Sequence, residues 1–307
     1  MRFRNLDEQP SFRSPIHVLR WKLGLGPEPT RRSPSRADVP FVKNDGAALR
    51  GAGRDALTWI GHATYLVQLG GRTVITDPIL SPRVAIVPRN APPGLTHETL
   101  PHIDVVTVSH NHYDHMDLPT LARLARAPEP PAIVVPTGLA AAMRKIGYRD
   151  IFELGWWQTA EVRDLAITLV PAQHWSRRGL TDTDETLWGG FVIEGGGVRA
   201  YHSGDTAYFS GFAEIGRRMG PIDAAMLPIG AYDPRWFMRA QHMNPEDAVQ
   251  AFVDLGAKRF FAMHWGTFKL TDEPIGEPPV FTRDVWRERG LDEAALEIPA
   301  IGETIRL

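Results

Sequence analysis

The sequence predicts an α/β fold of layered sheets and helices. Three observations carry that expectation. Short β-rich runs recur from Ala56 onward, each ending in a polar turn. Helical segments lie between several of them. The residues able to do chemistry cluster where the apolar runs end, which is where α/β sheets usually carry their sites.

Size and composition set the outer bounds. A chain of 307 residues with 43% hydrophobic and 23% charged residues can bury a large core in the ordinary globular manner. The net charge of −2 comes without a basic stripe, so nucleic-acid binding is not expected. There is no cysteine, which excludes disulfides, thiolate zinc sites and a cysteine nucleophile. Any transition metal must therefore be held by imidazole and carboxylate. No apolar stretch reaches transmembrane length and the first residues carry no apolar signal region, so a cytoplasmic location is expected.

Taken in order, residues 1–45 read as an N-terminal arm or linker and residues 46–307 as one catalytic domain. Within the arm, "PEPTRRSPSRADVP" reads as extended chain. Before it, "PIHVLRWKLGLG" spaces Ile16, Leu19 and Leu23 as on a helix with basic residues between them. That segment fits packing on the body, or contact with a membrane surface or a partner. In the body, "LTWIGHATYLVQL", "GRTVITDP", "IDVVTVSH", "AIVVP", "LAITLVPAQH", "VRAYHSGD", "DAAMLPIG" and "RFFAMHWG" read as strands. "LPTLARLAR", "GLAAAMRKIG", "GFAEIGRRMG" and "NPEDAVQAFVDLG" read as helices. The last has Asn244 as N-cap, Pro245 in the first turn, Glu246 and Asp247 at the positive helix end, and a stop at Gly256.

The chemistry concentrates in Ser109-His110-Asn111-His112-Tyr113-Asp114-His115, directly after the apolar run Ile103–Val108. His110 and His112, two apart, point the same way in an extended segment, whereas Asp114 and His115 turn off that line and can serve a second centre. His174, Asp205 and His264 each follow a further apolar run. Five histidines and two aspartates suit two metal ions if one carboxylate bridges and positions remain open for water. His62 in "WIGHATYLV" and Asp77 at the end of "GRTVITDP" are candidates for supporting contacts, because ligating histidines give their other N–H to a carboxylate or carbonyl. His202 reads as packing or support beside Asp205, and His17, His97 and His102 as surface or loop residues.

"SHNHYDHMD" resembles the HxHxDH signature of the metallo-β-lactamase superfamily. With "TDPILSPR", "PAQHW", "GDTAYF", "LPIGAYDPRWFM", "QHMNPEDAV" and "HWGTF" in order, the stretch from about Leu57 to about Gly290 resembles the branch of N-acylphosphatidylethanolamine-hydrolysing phospholipases D. The resemblance implies a four-layer αβ/βα sandwich with a dimetal site between its sheets. It implies one zinc on His110, His112 and His174, another on Asp114, His115 and His264, and Asp205 bridging. His242, in "QHMNPEDA", falls where this branch has a pocket histidine, so Asp114 and His242 are the catalytic candidates.

The implied reaction is hydrolysis of the phospholipid's phosphodiester to phosphatidate and N-acylethanolamine, by water activated at two Zn²⁺. Other divalent metals remain compatible with the ligand types. Tyr232, Trp236, Phe237 and Met238, flanked by Arg235 and Arg239, are the candidate substrate contacts, equally compatible with core packing or a homodimer contact. Apolar residues of "SPRVAIVPRNAPPGL" are a second candidate lipid surface. A phospholipid substrate implies peripheral membrane contact. The same scaffold would also serve a lactonase or other small-ester metallohydrolase.

Overall fold

The computed structural model describes residues 2–7, 15–28, 31, 33–34, 36–50 and 55–307. Parts of the Pro/Arg/Ser-rich segment of the arm lie outside the described residues. The chain builds one sheet and then the other. β1 (Ala56–Gly61), β2 (Thr64–Leu69), β3 (Arg72–Thr76), a small hairpin of β4 (Arg83–Val84) and β5 (Val87–Pro88), β6 (Val105–Thr107), β7 (Ala132–Pro136) and β8 (Ile151–Leu154) come first. β9 (Thr159–Val162), β10 (Leu165–Val170), β11 (Gly190–Gly195), β12 (Val198–His202), β13 (Ala224–Pro228), β14 (Arg259–Met263) and β15 (Leu296–Glu297) follow, and β16 (Thr304–Arg306) returns to the first sheet.

The sheets have orders β16-β1-β2-β3-β6-β7-β8 and β9-β10-β11-β12-β13-β14-β15. Each begins with three antiparallel pairings and ends with three parallel ones. The central parallel strands β6, β7 and β13 are buried along their whole length, and their sequences are correspondingly apolar. In "AIVVP", Ala132 and Val134 enter the main core, while Ile133 and Val135 enter a second core. The strand's period of two divides one run between two layers.

That second core is completed by α2 (Leu118–Leu124) and α3 (Ala140–Ile146) through Leu121, Leu124 and Met143. On the other sheet lie α4 (Gly211–Met219), α6 (Pro245–Leu255) and α7 (Glu277–Glu288), which bring Phe212, Phe252 and Trp286 into the main core. This is the metallo-β-lactamase fold, an αβ/βα sandwich as expected.

The helix at 277–288 is absent from the sequence reading. Pro278 and Pro279 in "GEPPVF" resemble a loop, but proline in the first helical turn removes an N–H that has no helical acceptor anyway. α1 (Pro15–Lys22) in the arm does form, and α5 (Arg235–Met238) is a single turn. The arm is tied to the body: Phe41 bridges to Ile301, and the Asn44 amide donates to the Gly302 carbonyl at 2.8 Å. Among the described residues no helix is long and apolar enough to cross a membrane.

α6 has the cap its sequence calls for. The Asn244 side chain accepts from the Asp247 N–H at 2.9 Å, and the Asp247 carboxylate accepts from the Asn244 N–H, a reciprocal capping box. Asn244→Ala is expected to cost about 1 kcal/mol and to lower the melting temperature by roughly 2 °C with metal content unchanged, as checked by calorimetry and elemental analysis.

Candidate metal centre

The loop Val108–Met116 leaves β6 and turns sharply under the control of one carboxylate. Asp77, fully buried just beyond β3, accepts from the Ser109 N–H and hydroxyl, both at 2.6 Å. The same carboxylate lies 2.7 Å from His115 Nδ1, which turns His115 Nε2 toward Asp205 at 3.2 Å. Ser109 also meets Gly204, the glycine of "HSGD": its φ of +59° disfavours a side chain, and a Cβ there would lie only 2.6 Å from the Ser109 Cβ.

The strand ends then bring the expected donors together. His110, His112, His174 and Asp205 form one group, and His62, Asp114, His115 and His264 a second; within each group the donor atoms lie within 4.8 Å of one another. Asp205 faces both. Its Oδ2 is 4.0 Å from His110 Nε2 and 3.8 Å from His174 Nε2, and its Oδ1 is 3.0 Å from His264 Nε2. His62 does more than support: its Nε2 is 3.0 Å from the Asp114 carboxylate, placing it inside the second group. Its backbone carbonyl accepts from the His264 N–H at 2.9 Å, so the two sheets are stitched at the site. His202 is buried with Nε2 on the Ala63 carbonyl, a packing role.

His62, Asp77 and His264 all have positive φ, at 56°, 37° and 61°. Such conformations are strained for residues other than glycine and persist where surrounding structure over-determines them.

Burial pushes His110 and His174 well below the usual imidazole range, which keeps both neutral, the form a metal ligand needs. Burial opposes charge on Asp205 as well, yet the surrounding imidazoles, His115 first, hold it well below the usual carboxylate range. His264 resists burial for the same reason and is raised to about 9 by Asp205 and Asp114. Buried imidazole and carboxylate donors converging in two groups around a shared aspartate fit a pair of divalent ions.

Beside the donors opens a cavity of about 360 Å³. His112, Asp114, Asp205, His242 and His264 form its polar floor; Trp21, Val84, Trp175, Phe237, Met238 and Leu270 supply most of its apolar wall. Of the four candidate substrate contacts, Phe237 and Met238 line this cavity, whereas Tyr232 and Trp236 do not. The Tyr232 ring is buried against Phe281, with its hydroxyl donating to Glu277 at 2.6 Å. Trp236 packs edge-on to Phe237, outside the cavity lining. In the single turn of α5, successive side chains fan outward, and only 237 and 238 line the cavity.

Trp21 and Trp175 were not among the predicted contacts. Trp175 follows a candidate ligand directly, a signal available in "QHW". Trp21 comes from α1, with its ring stacked on Phe237 at 5.2 Å and its Nε1–H donating to Asp272 at 2.6 Å. His242 closes the floor, its Nδ1 3.9 Å from Asp205 Oδ2. It groups with Asp205 and His264 rather than standing apart from the donor set.

Comparison with known proteins agrees with this architecture. The β-lactamase superfamily domain matches residues 72–265. An uncharacterized protein of Mycobacterium tuberculosis is 39% identical over 290 residues, covering 90% of this chain and 76% of its own. The N-acyl-phosphatidylethanolamine-hydrolyzing phospholipase D 1 of Caenorhabditis elegans is 38% identical over 237 residues, covering 72% of this chain and 67% of its own. Among solved structures, the isothiocyanate hydrolase from Delia radicum gut bacteria superimposes with a TM-score of 0.65 at 22% identity, covering 82% of this chain and 99% of that one, a likeness of fold. The chain belongs to the β-lactamase superfamily. Within it, the chain stands among the metal-dependent hydrolases and is similar to the phospholipase D branch.

Asp77 is the support on which the loop turns. Asp77→Ala is expected to weaken metal binding by about 10–100-fold, the usual effect of losing a partner behind a ligand. Competition with a chromogenic chelator measures it, and unaltered affinity would show that the loop holds itself.

Proposed function

We propose that the protein is a binuclear zinc phosphodiesterase that cleaves N-acylphosphatidylethanolamine in the manner of a phospholipase D, giving phosphatidate and N-acylethanolamine. The observation that carries the reading is the junction of the two donor groups with an apolar cavity whose wall includes Trp21, Trp175, Phe237 and Met238. A phosphodiester meets the polar floor while an acyl chain lies along the wall. The likeness to the Caenorhabditis elegans enzyme supports this choice of substrate among phosphodiesters.

His110, His112 and His174 would hold one ion, Asp114, His115 and His264 the other, with Asp205 between them. The ions would supply a water of lowered pKa and offset the phosphate's charge. The chain's residues do the rest. Asp77 fixes the His115 ring, and His62 keeps Asp114 turned inward. His242 is lowered to about 4 by burial, so near neutral pH it is an uncharged imidazole, suited to donating a hydrogen bond to a phosphate oxygen.

Access to a lipid is consistent with α1. Ile16, Leu19, Leu23 and Leu25 are 68%, 58%, 61% and 59% exposed beside the cavity mouth, with Arg20 and Lys22 among them. An apolar rim with basic neighbours suits peripheral contact with an anionic lipid surface.

Mass spectrometry of products from N-acylphosphatidylethanolamine vesicles tests the assignment. Phosphatidate and N-acylethanolamine are expected, with activity lost on chelation and recovered with Zn²⁺. Release of free fatty acid, or faster turnover of lactones, would instead establish ester chemistry on this scaffold. Asp205→Asn should abolish turnover in a folded protein, because one charge then no longer serves both donor groups.

A separate expectation concerns His242. As a donor to phosphate, its replacement by alanine should lower turnover roughly 10²-fold with metal content unchanged. The loss should be equal for substrates with good and poor leaving groups. A loss confined to poor leaving groups would make His242 a proton donor instead.

A further inference from the structure

Behind His174, on the side away from the cavity, lies a contact that the metal chemistry does not explain. Asn5 of the N-terminal arm reaches across 169 positions of sequence to the backbone of that one residue. Its Nδ2–H donates to the His174 carbonyl at 2.9 Å, and its Oδ1 accepts from the His174 N–H at 3.1 Å. The same Oδ1 accepts from Trp188 Nε1–H at 3.0 Å. Only this orientation of the amide satisfies all three partners, so the side chain is fixed as a paired strand residue would be.

The neighbours extend the seam. The Phe3 N–H donates to the Asp184 carbonyl at 2.8 Å. The Gln173 amide donates to the Asp7 carbonyl at 3.1 Å. The Asp7 carboxylate accepts from the N–H and hydroxyl of Ser210, at 3.0 and 2.9 Å, at the start of α4. Phe3 packs against the main core.

His174 needs such a partner. It lies four residues beyond the end of β10, past the sheet's ladder, yet it is buried to 1% exposure. Its ring is held by the Gln241 carbonyl, 2.9 Å from Nδ1, which directs Nε2 to the donor group. The ring's direction is therefore settled on one side; the backbone is held up to Gln173, which bridges to Ala207, and beyond it the N–H and carbonyl of His174 itself are held by Asn5. A buried N–H and C=O left without partners would shift to find others, and the imidazole would move with them.

We infer that Asn5 is a positioning residue for the metal centre: through both backbone groups of His174 it sets where that imidazole meets the ion, making the N-terminal arm part of the site. This rests on the reading of His174 as a metal ligand.

Cobalt binding followed by visible absorption tests it, with stoichiometry and stepwise affinity measured for four full-length proteins: wild type, Asn5→Ala, His174→Ala and the double variant. In wild type two binding steps are expected. Asn5→Ala should weaken one of them by about 10–100-fold and alter its ligand-field bands, leaving the other step in place. The weakened step should be the one that His174→Ala removes, and Asn5→Ala should have no further effect on metal binding in the His174→Ala background. Equal loss at both steps, an additive effect in the double variant, or unchanged affinity would overturn the inference while leaving the metal assignment intact. Wild type that binds no cobalt, or a His174→Ala variant that keeps both steps, would overturn the assignment of His174 and the inference with it. Should Asn5→Ala fail to fold, Asn5→Asp decides in the same assay. It keeps an acceptor for the His174 and Trp188 N–H groups but sets a second carboxylate oxygen against the His174 carbonyl, so a loss at the same step is again expected, and no loss overturns the inference.

Discussion

The structure is organised around two carboxylates held among imidazoles, the buried Asp205 and the partly buried Asp114. Removing a carboxylate from water costs several kcal/mol unless opposite charge and hydrogen bonds come with it. Here the protein has placed both where their nearest partners are histidines, themselves buried. Without a cation, His115 and His264 are driven toward their charged forms: His115 is lifted well above the usual imidazole range, against its own burial, by Asp205 and Asp114, and His264 is raised by the same two carboxylates. Bound divalent metal would supply that charge without depending on pH. The cluster therefore makes energetic sense as a metal centre and little sense as a core, where apolar residues of similar volume would serve better.

Everything near the cluster can be read as a device for holding it. The two sheets run through the same sequence of three antiparallel and three parallel pairings. In sheet order β1 corresponds to β10 and β3 to β12. The residues that follow these strands correspond too: His62 with His174, and Asp77 with Asp205. Both halves thus end equivalent strands in a histidine and an aspartate at the seam between the sheets. Yet the two aspartates have diverged in use, Asp77 turning to Ser109 and His115, and Asp205 facing the donors of both groups. No repeat is visible in the residues, because side-chain identity in the cores is constrained only by size and face, not by the ladder pattern that the halves share.

How much could be read beforehand follows from how local each constraint is. The candidate donors were legible because each lies in the polar stretch just beyond a strand, so apolar run and polar terminus sit together in sequence. The N-cap of α6 was legible for the same reason, beside the first turn it caps. What escaped depended on distance along the chain. Nothing near "NLDE" marks Asn5 as the partner of His174, and nothing in "VLRW" marks Trp21 as a wall of the cavity. Tyr232 and Trp236 show the opposite limit: an aromatic cluster is visible in the sequence, but its local order does not say which of its members line the cavity, as Phe237 and Met238 do. The helix at 277–288 was hidden by prolines whose meaning changes with their position in a turn.

The arm also changes how the cavity is to be understood. Were α1 a tether, its one large aromatic would be free to leave. Instead Trp21 is held twice, by stacking on Phe237 and by its N–H on Asp272, while the apolar residues around it stay exposed. A residue anchored on its polar edge and presented on its ring face suits a wall better than a strap. The same arm grips the backbone of His174. One segment therefore touches both the donor cluster, through His174, and the apolar wall of the cavity, through Trp21. A displacement of the arm would then alter both together, a coupling that the β-lactamase scaffold spanning residues 72–265 does not contain by itself.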